Sequence, residues 1–199
     1  LFEAEAERNN VYPLDGDIGP RFVAMQTRAA PQDPELVYYP PAAIRVHESV
    51  APPLKNKSHE LVADLDMQAD SRDGMLVTAG GRTSGYGLFI RNNRLVYVYN
   101  YLGIDRTVIT SSEEVPPGES KVSMTFTKTG NFEGNAELFI NGKSVGNAFI
   151  EKTIPATFSI EETFDVGEDT GSPIIEDSYA VPFRSNGLKK LTVKIDHAS

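Results

Sequence analysis

Two sets of side chains in this sequence have types and spacings that could do chemistry. The first is acidic. Asp165, Glu168 and Asp169 lie within the run DVGEDTGSP, and Glu176 and Asp177 follow. Carboxylates spaced by glycines could fold hard oxygen ligands round Ca²⁺, with Asp165, Glu168, Asp169 and Asp177 as the expected set. The Asp-x-Asp-x-Asp-Gly core of an EF-hand is missing, and the same side chains could instead cap turns in a solvated loop. The second set is aromatic. Tyr97, Tyr99 and Tyr101 alternate along one run and so share a face of a strand. A tyrosine ladder could stack sugar rings; contact with a neighbouring domain, or core packing, is the stronger expectation, because tyrosine suits a place apolar at one end and wet at the other. Arg82, in Gly80-Gly81-Arg82, joins them as a candidate substrate or domain contact.

Much other chemistry is excluded. The chain has no cysteine, so disulfides, thiolate zinc sites and a cysteine nucleophile are out. Its three histidines, His47, His59 and His197, are isolated from one another, and none has a second histidine at metal-ligand spacing. Gly80-Gly81 lacks the following helix that a phosphate cradle needs and reads as a bulged hairpin turn. A Glu-x-Asp-x-x-Glu strand, which would suggest a glycosidase, is absent. The net charge of −9 argues against a nucleic-acid partner or an anionic membrane surface. No apolar run approaches the roughly 18 residues of a membrane span.

The elements that must carry these residues are almost all strands. Of 199 residues, only 1–12 read as a helix, with Leu1, Phe2 and Ala6 on one side, and Pro13 ends it. Residues 1–15 are expected to be a helix and linker from a preceding domain, with a terminal cap on this domain as the alternative. Residues 16–58 hold most of the prolines and predict an irregular wrap with short edge strands, among them Phe22–Ala24 and Ile44–Val46. From residue 59 to 199 the period is two. In HELVADLDM, Leu61, Ala63, Leu65 and Met67 alternate with Val62, Asp64 and Asp66, and further β-branched and aromatic runs follow at short spacing. Asn92-Asn93 and Asn141-Gly142 each separate two such runs, as two-residue type I′ hairpins require. The expected fold is all-β: an antiparallel sandwich of two packed sheets with a short N-terminal helix.

Several of these residues also carry a family resemblance. Gly80-Gly81-Arg82, Gly85-Tyr86, Tyr99–Gly103, Asp105-Arg106, Leu138–Gly142 and above all Thr163–Pro173 resemble the C-terminal region of bacterial arylsulfatases. EAERNNVYPLD resembles the helix and linker that leave the catalytic domain in that family, and Asn56–His59 the start of its first long strand. The resemblance implies a concanavalin A-like jelly roll. It also implies a catalytic domain upstream, built round a formylglycine from Cys/Ser-x-Pro-x-Arg and a divalent metal, usually Ca²⁺. Here the nearest run is Ala180-Val181-Pro182-Phe183-Arg184, and alanine cannot be oxidised to formylglycine. The expectation is therefore a non-catalytic C-terminal β-sandwich of an arylsulfatase-like sulfuric ester hydrolase. It would need no cofactor, with Ca²⁺ as an option, and would pack on its parent's catalytic domain in the periplasm or outside the cell, the cytoplasm not being excluded. The alternative is a concanavalin-like module that binds a glycan or sulfate ester. A cut face formed by Leu1, Phe2, Val11, Tyr12, Leu14 and outward-facing Tyr97, Tyr99 and Tyr101 predicts weak self-association.

Overall fold

The computed structural model of the protein describes residues 2–9, 34–68, 72–155, 157–159, 162–174 and 187–196. The chain divides into two compact units, 1–33 and 34–199. In the first, helix α1 runs Phe2–Arg8, shorter than the twelve residues its composition suggests, with acidic Glu3 and Glu5 in the first turn and Arg8 in the last. That arrangement complements the helix dipole. Leu1, Val11, Tyr12 and Leu14 of the expected cut face lie outside the described residues; Phe2 is exposed.

The second unit is a sandwich of two antiparallel six-stranded sheets. Its strands are β1 (Glu35–Tyr38), β2 (Val46–His47), β3 (His59–Met67), β4 (Gly74–Gly80), β5 (Gly85–Arg91), β6 (Arg94–Tyr101), β7 (Asp105–Glu114), β8 (Gly118–Gly130), β9 (Glu133–Ile140), β10 (Lys143–Ile150), β11 (Thr163–Val166) and β12 (Leu188–Ile195). The first sheet is ordered β1-β12-β3-β8-β9-β10 and the second β2-β11-β4-β5-β6-β7. The proline-rich stretch contributes β1 and β2, each at the outer edge of a sheet, where proline's missing donor costs least. The sandwich thus takes in the chain from Pro34 on. Among the described residues no helix is long and apolar enough to cross a membrane.

Both expected hairpins form. Asn92 and Asn93 have φ of 48° and 62°, and Asn141 and Gly142 of 50° and 81°, the left-handed pair that a type I′ turn demands. The first turn is held further by Asp73, whose carboxylate accepts from the backbone N–H of Asn92 (2.8 Å) and Asn93 (2.9 Å).

The two sheets differ on their outer faces. The first is laced with charge: Lys190 and Lys121 flank Asp64, Lys189 meets Asp66 and Lys194 meets Glu60. Its inner face carries the alternating Leu61, Ala63, Leu65 and Met67, so the period-two reading of β3 holds. In the second sheet β4 is buried along its whole length, and β5 and β6 along all but their ends. Its inner residues, among them Leu76, Leu88, Ile90, Leu95 and Tyr97, join the main core. Its outer residues Met75, Phe89, Val96 and Val98 form a separate cluster with Ile174, from the segment after β11. Gly87 makes room for that segment: a Cβ there would stand 3.0 Å from the Ile174 Cγ2.

The tyrosine ladder faces inward, which corrects the placement of Tyr97, Tyr99 and Tyr101 on an outward patch. Tyr97 is 1% exposed and Tyr99 7%, both in the main core, with Tyr101 half-buried against it. Alternation places the three rings on one face, as expected, and that face looks at the opposite sheet.

Candidate functional site

The core tyrosines lead outward to a cleft. Tyr97, Tyr99 and Tyr101 descend the inner face of β6, and toward the end of the strand the sheets no longer cover them: exposure grows from Tyr97 to Tyr101. There, Tyr99, Tyr101, Asp105 and Thr107 form one wall of a cleft of about 230 Å³, and Phe149, Ile150, Glu151 and Lys152 form the other. Cross-strand pairing of Tyr101 with Asp105 and Tyr99 with Thr107 sets the first wall. The end of β10 and the two residues after it supply the second. Phe149 is 46% exposed, an aromatic ring left in water beside a polar rim.

Both walls are anchored by buried hydrogen bonds. On the second, the Tyr99 hydroxyl accepts from the Ile154 N–H at 2.8 Å, and the Thr153 N–H donates to the Phe132 carbonyl at 2.7 Å. Just beyond, Glu48 accepts from the N–H groups of Phe158 (2.9 and 3.0 Å) and Ser159 (3.2 Å) and pairs with Lys55. Burial alone would raise the Glu48 pKa, but the bonds from Lys55, Thr157 and Phe158 outweigh it and hold the carboxyl below its ordinary value. Phe158, so fixed, packs edge-on against Tyr86 (5.6 Å) and Tyr99 (6.2 Å).

On the first wall the organiser is Asn100, which is fully buried. Its Nδ2 donates to the carbonyls of Gly81 and Arg82, both at 2.9 Å, and its Oδ1 accepts from the Gly103 N–H at 3.0 Å. One side chain thereby ties the β4–β5 loop to the β6–β7 turn that precedes Asp105. Substituting Asn100→Ala strands these backbone groups and is expected to cost about 2–3 kcal/mol. Thermal unfolding measures it, and amide exchange at 102–105 should accelerate relative to the rest of the second sheet.

The other expected site residues are used differently. Asp165 is buried, and its oxygens accept from the Arg45 N–H, the Thr163 hydroxyl, and the Thr170 N–H and hydroxyl. Glu168 is buried as well, and Asp169 accepts from the Gly171 N–H. The turn-capping reading therefore describes Asp165 and Asp169, and among the described residues no three acidic or histidine side chains converge as a metal site. Asp177 lies outside the described residues. Burial pushes the Asp169 carboxyl up to about 6; the Gly171 bond opposes this, while Asp165 and Glu162 add to it. Arg82 is exposed on the β4–β5 loop, its backbone N–H donating to Ser172 Oγ at 2.9 Å, and it does not line the cleft.

His59 opens β3 and lies outside the cleft lining. It stacks on Phe126 at 5.3 Å and lines a small cavity with Tyr86, Tyr97, Tyr99, Thr153 and Phe158. Burial lowers its pKa to about 4, so the ring is neutral at pH 7.

Of the cleft residues, Thr107, Phe149, Glu151 and Lys152 belong to no motif of the sequence, and Asp105 enters there only as part of the resemblance. One signal existed: in KSVGNAFI, Phe149 shares parity with Asn147 and not with half-buried Ala148 and buried Ile150 on the other side of β10, an aromatic where a polar residue is due.

No family model matches the chain, and no curated protein matches it in sequence. Solved structures do match. The CBM40 of the Ruminococcus gnavus IT-sialidase aligns with a TM-score of 0.53 at 14% identity, over 82% of this chain and 94% of that one. Domains LG4-5 of the mouse laminin α1 chain align with a TM-score of 0.50 at 12% identity, over 81% and 39%. The SAP-like pentraxin of Limulus polyphemus gives 0.42 at 10% identity, over 71% and 66%. The chain thus spans just under two thirds of the pentraxin and well under half of the laminin chain. None of the three is a sulfatase. At these identities the likeness is one of fold, and the fold is an antiparallel β-sandwich of the concanavalin-like jelly-roll kind.

Proposed function

We propose that this chain is a non-catalytic binding module that takes carbohydrate into the cleft between the β6–β7 end and the 149–152 segment. The observation that carries the reading is the cleft's mixed lining: the rings of Tyr101 and Phe149 beside Asp105, Thr107, Glu151 and Lys152. A pyranose ring offers an apolar C–H face and a rim of hydroxyls. Aromatic rings cover the first, and carboxylates, a hydroxyl and an ammonium accept from or donate to the second. At about 230 Å³ the cleft is smaller than the roughly 300–1,000 Å³ of sites for drug-sized ligands, which suits one sugar ring. The fold likeness to a sialidase CBM40 supports the same class of function.

Glycan-array screening followed by calorimetry tests the proposal. Tyr101→Ala and Asp105→Ala are each expected to weaken binding of the best glycan by about tenfold or more, a loss of roughly 1.4 kcal/mol. Binding that survives both variants would put the site elsewhere, and an array without hits would remove the reading. Turnover of an aryl sulfate ester by the isolated chain would contradict its non-catalytic part.

A further inference from the structure

Resting on that carbohydrate reading, we infer that the cleft selects uncharged sugars against acidic ones. Three charged side chains line it, Asp105 and Glu151 with negative charge and Lys152 with positive. All three are exposed, and none makes an ion pair or side-chain hydrogen bond among the described residues. The carboxylates are therefore not spent on the fold, in contrast to Asp64, Asp66 and Glu60 on the first sheet, each matched by lysine.

An unpaired carboxylate is an acceptor with two oxygens, able to take two hydroxyl protons at once. Adjacent hydroxyls of a neutral pyranose meet that geometry. A uronic, sialylated or sulfated sugar brings an anion to a lining whose own balance is −1, in a chain whose net charge is −9. Lys152 can answer one of the two carboxylates or the ligand's anion, leaving at least one like-charge contact uncompensated. At contact distance near a protein surface, that repulsion is worth about tenfold or more in affinity. Lys152 then serves the neutral ligand as a donor to ring or hydroxyl oxygens.

The experiment is an array carrying neutral pyranose oligosaccharides beside their uronic, sialylated and sulfated counterparts, read with the intact chain at low salt. Hits are followed by NMR titration to locate them. Neutral glycans should bind and shift the signals of Tyr101, Asp105 and Glu151, with the charged counterpart at least about tenfold weaker. Raising the ionic strength should narrow the gap, because screening acts on exposed charges. Glu151→Gln should narrow it too. An acidic glycan bound in the cleft as tightly as its neutral counterpart overturns the charge selection and leaves the binding module standing. No glycan shifting these residues removes both.

Discussion

Tyr97→Ala should lower the stability of the sandwich by about 3–5 kcal/mol, the range for emptying a buried aromatic site. That is a large fraction of the roughly 5–15 kcal/mol by which a domain is stable. Tyr97 is 1% exposed, packs 6.4 Å from Tyr86 and lies among the largest fully buried side chains. Its hydroxyl is held far from ionisation, first by burial and then by the neighbouring Tyr99 and Tyr86. Tyr101→Ala, two residues along the same face, removes a half-buried ring and should cost less than half as much while weakening ligand binding. Urea unfolding of the two variants separates the roles. A Tyr97→Ala loss below about 1 kcal/mol would contradict the inward placement of the ladder.

The second large effect is at Glu48. Its carboxylate gathers Lys55, Thr157, Phe158 and Ser159 from two segments more than 100 residues apart, and so fixes the chain that follows the cleft wall. Hydrogen bonds to a charged partner contribute about 1.5–3 kcal/mol, so Glu48→Ala should destabilise by at least about 2 kcal/mol. The pH dependence gives a sharper check. Glu48 has a folded-state pKa below its ordinary 4.5, so the unfolded chain binds the proton more readily. Its contribution is complete above pH 4.5 and is lost as pH falls through the lower folded value. Asp169 has the opposite sign. With a folded pKa of about 6 against an ordinary 3.8, it favours the folded state increasingly as pH falls through that window. Asp169 is common to both proteins and cancels in their difference. The stability gap between wild type and Glu48→Ala should therefore be flat from pH 8 to 5.5 and close in acid. A gap independent of pH down to 3 would show that the charge of Glu48 is not what holds the segment.

Strands and hairpins were legible because their signals are local. HELVADLDM declares its buried side by alternation, and Asn141-Gly142 declares its turn by the left-handed backbone both residues adopt. The orientation of the tyrosine ladder was not legible for a physical reason. In β4, β5 and β6 both faces are apolar, so parity shows which residues share a side without showing which side is the core. Only the covering of the outer face by Ile174, more than 70 residues downstream, settles it. The cleft was hidden by the same long-range assembly, since its two walls come from residues 99–107 and 149–152. In DVGEDTGSP, Asp165 accepts from Arg45, Thr163 and Thr170, and Arg45 lies 120 residues away, beyond the reach of any local spacing signal. A carboxylate that organises a turn and one that awaits a cation look alike until its donors are known.

Strand order has a consequence for the protein's birth on the ribosome. The meanders β4–β7 and β8–β10 join neighbours in the chain and can zip as they emerge. The last strand, β12, belongs between β1 and β3, pairing Glu35 with Lys194 and His59 with Ile195, and β11 likewise belongs between β2 and β4. Until synthesis reaches residue 195, β3 presents a bare edge and β1 has no neighbour to hold it. Closing such distant pairs is slow because the chain entropy must be surrendered before any contact repays it. For that interval the nascent sandwich is an open sheet of the kind that pairs with strangers, and the lysines at 189, 190 and 194 ride in on the strand that ends the exposure.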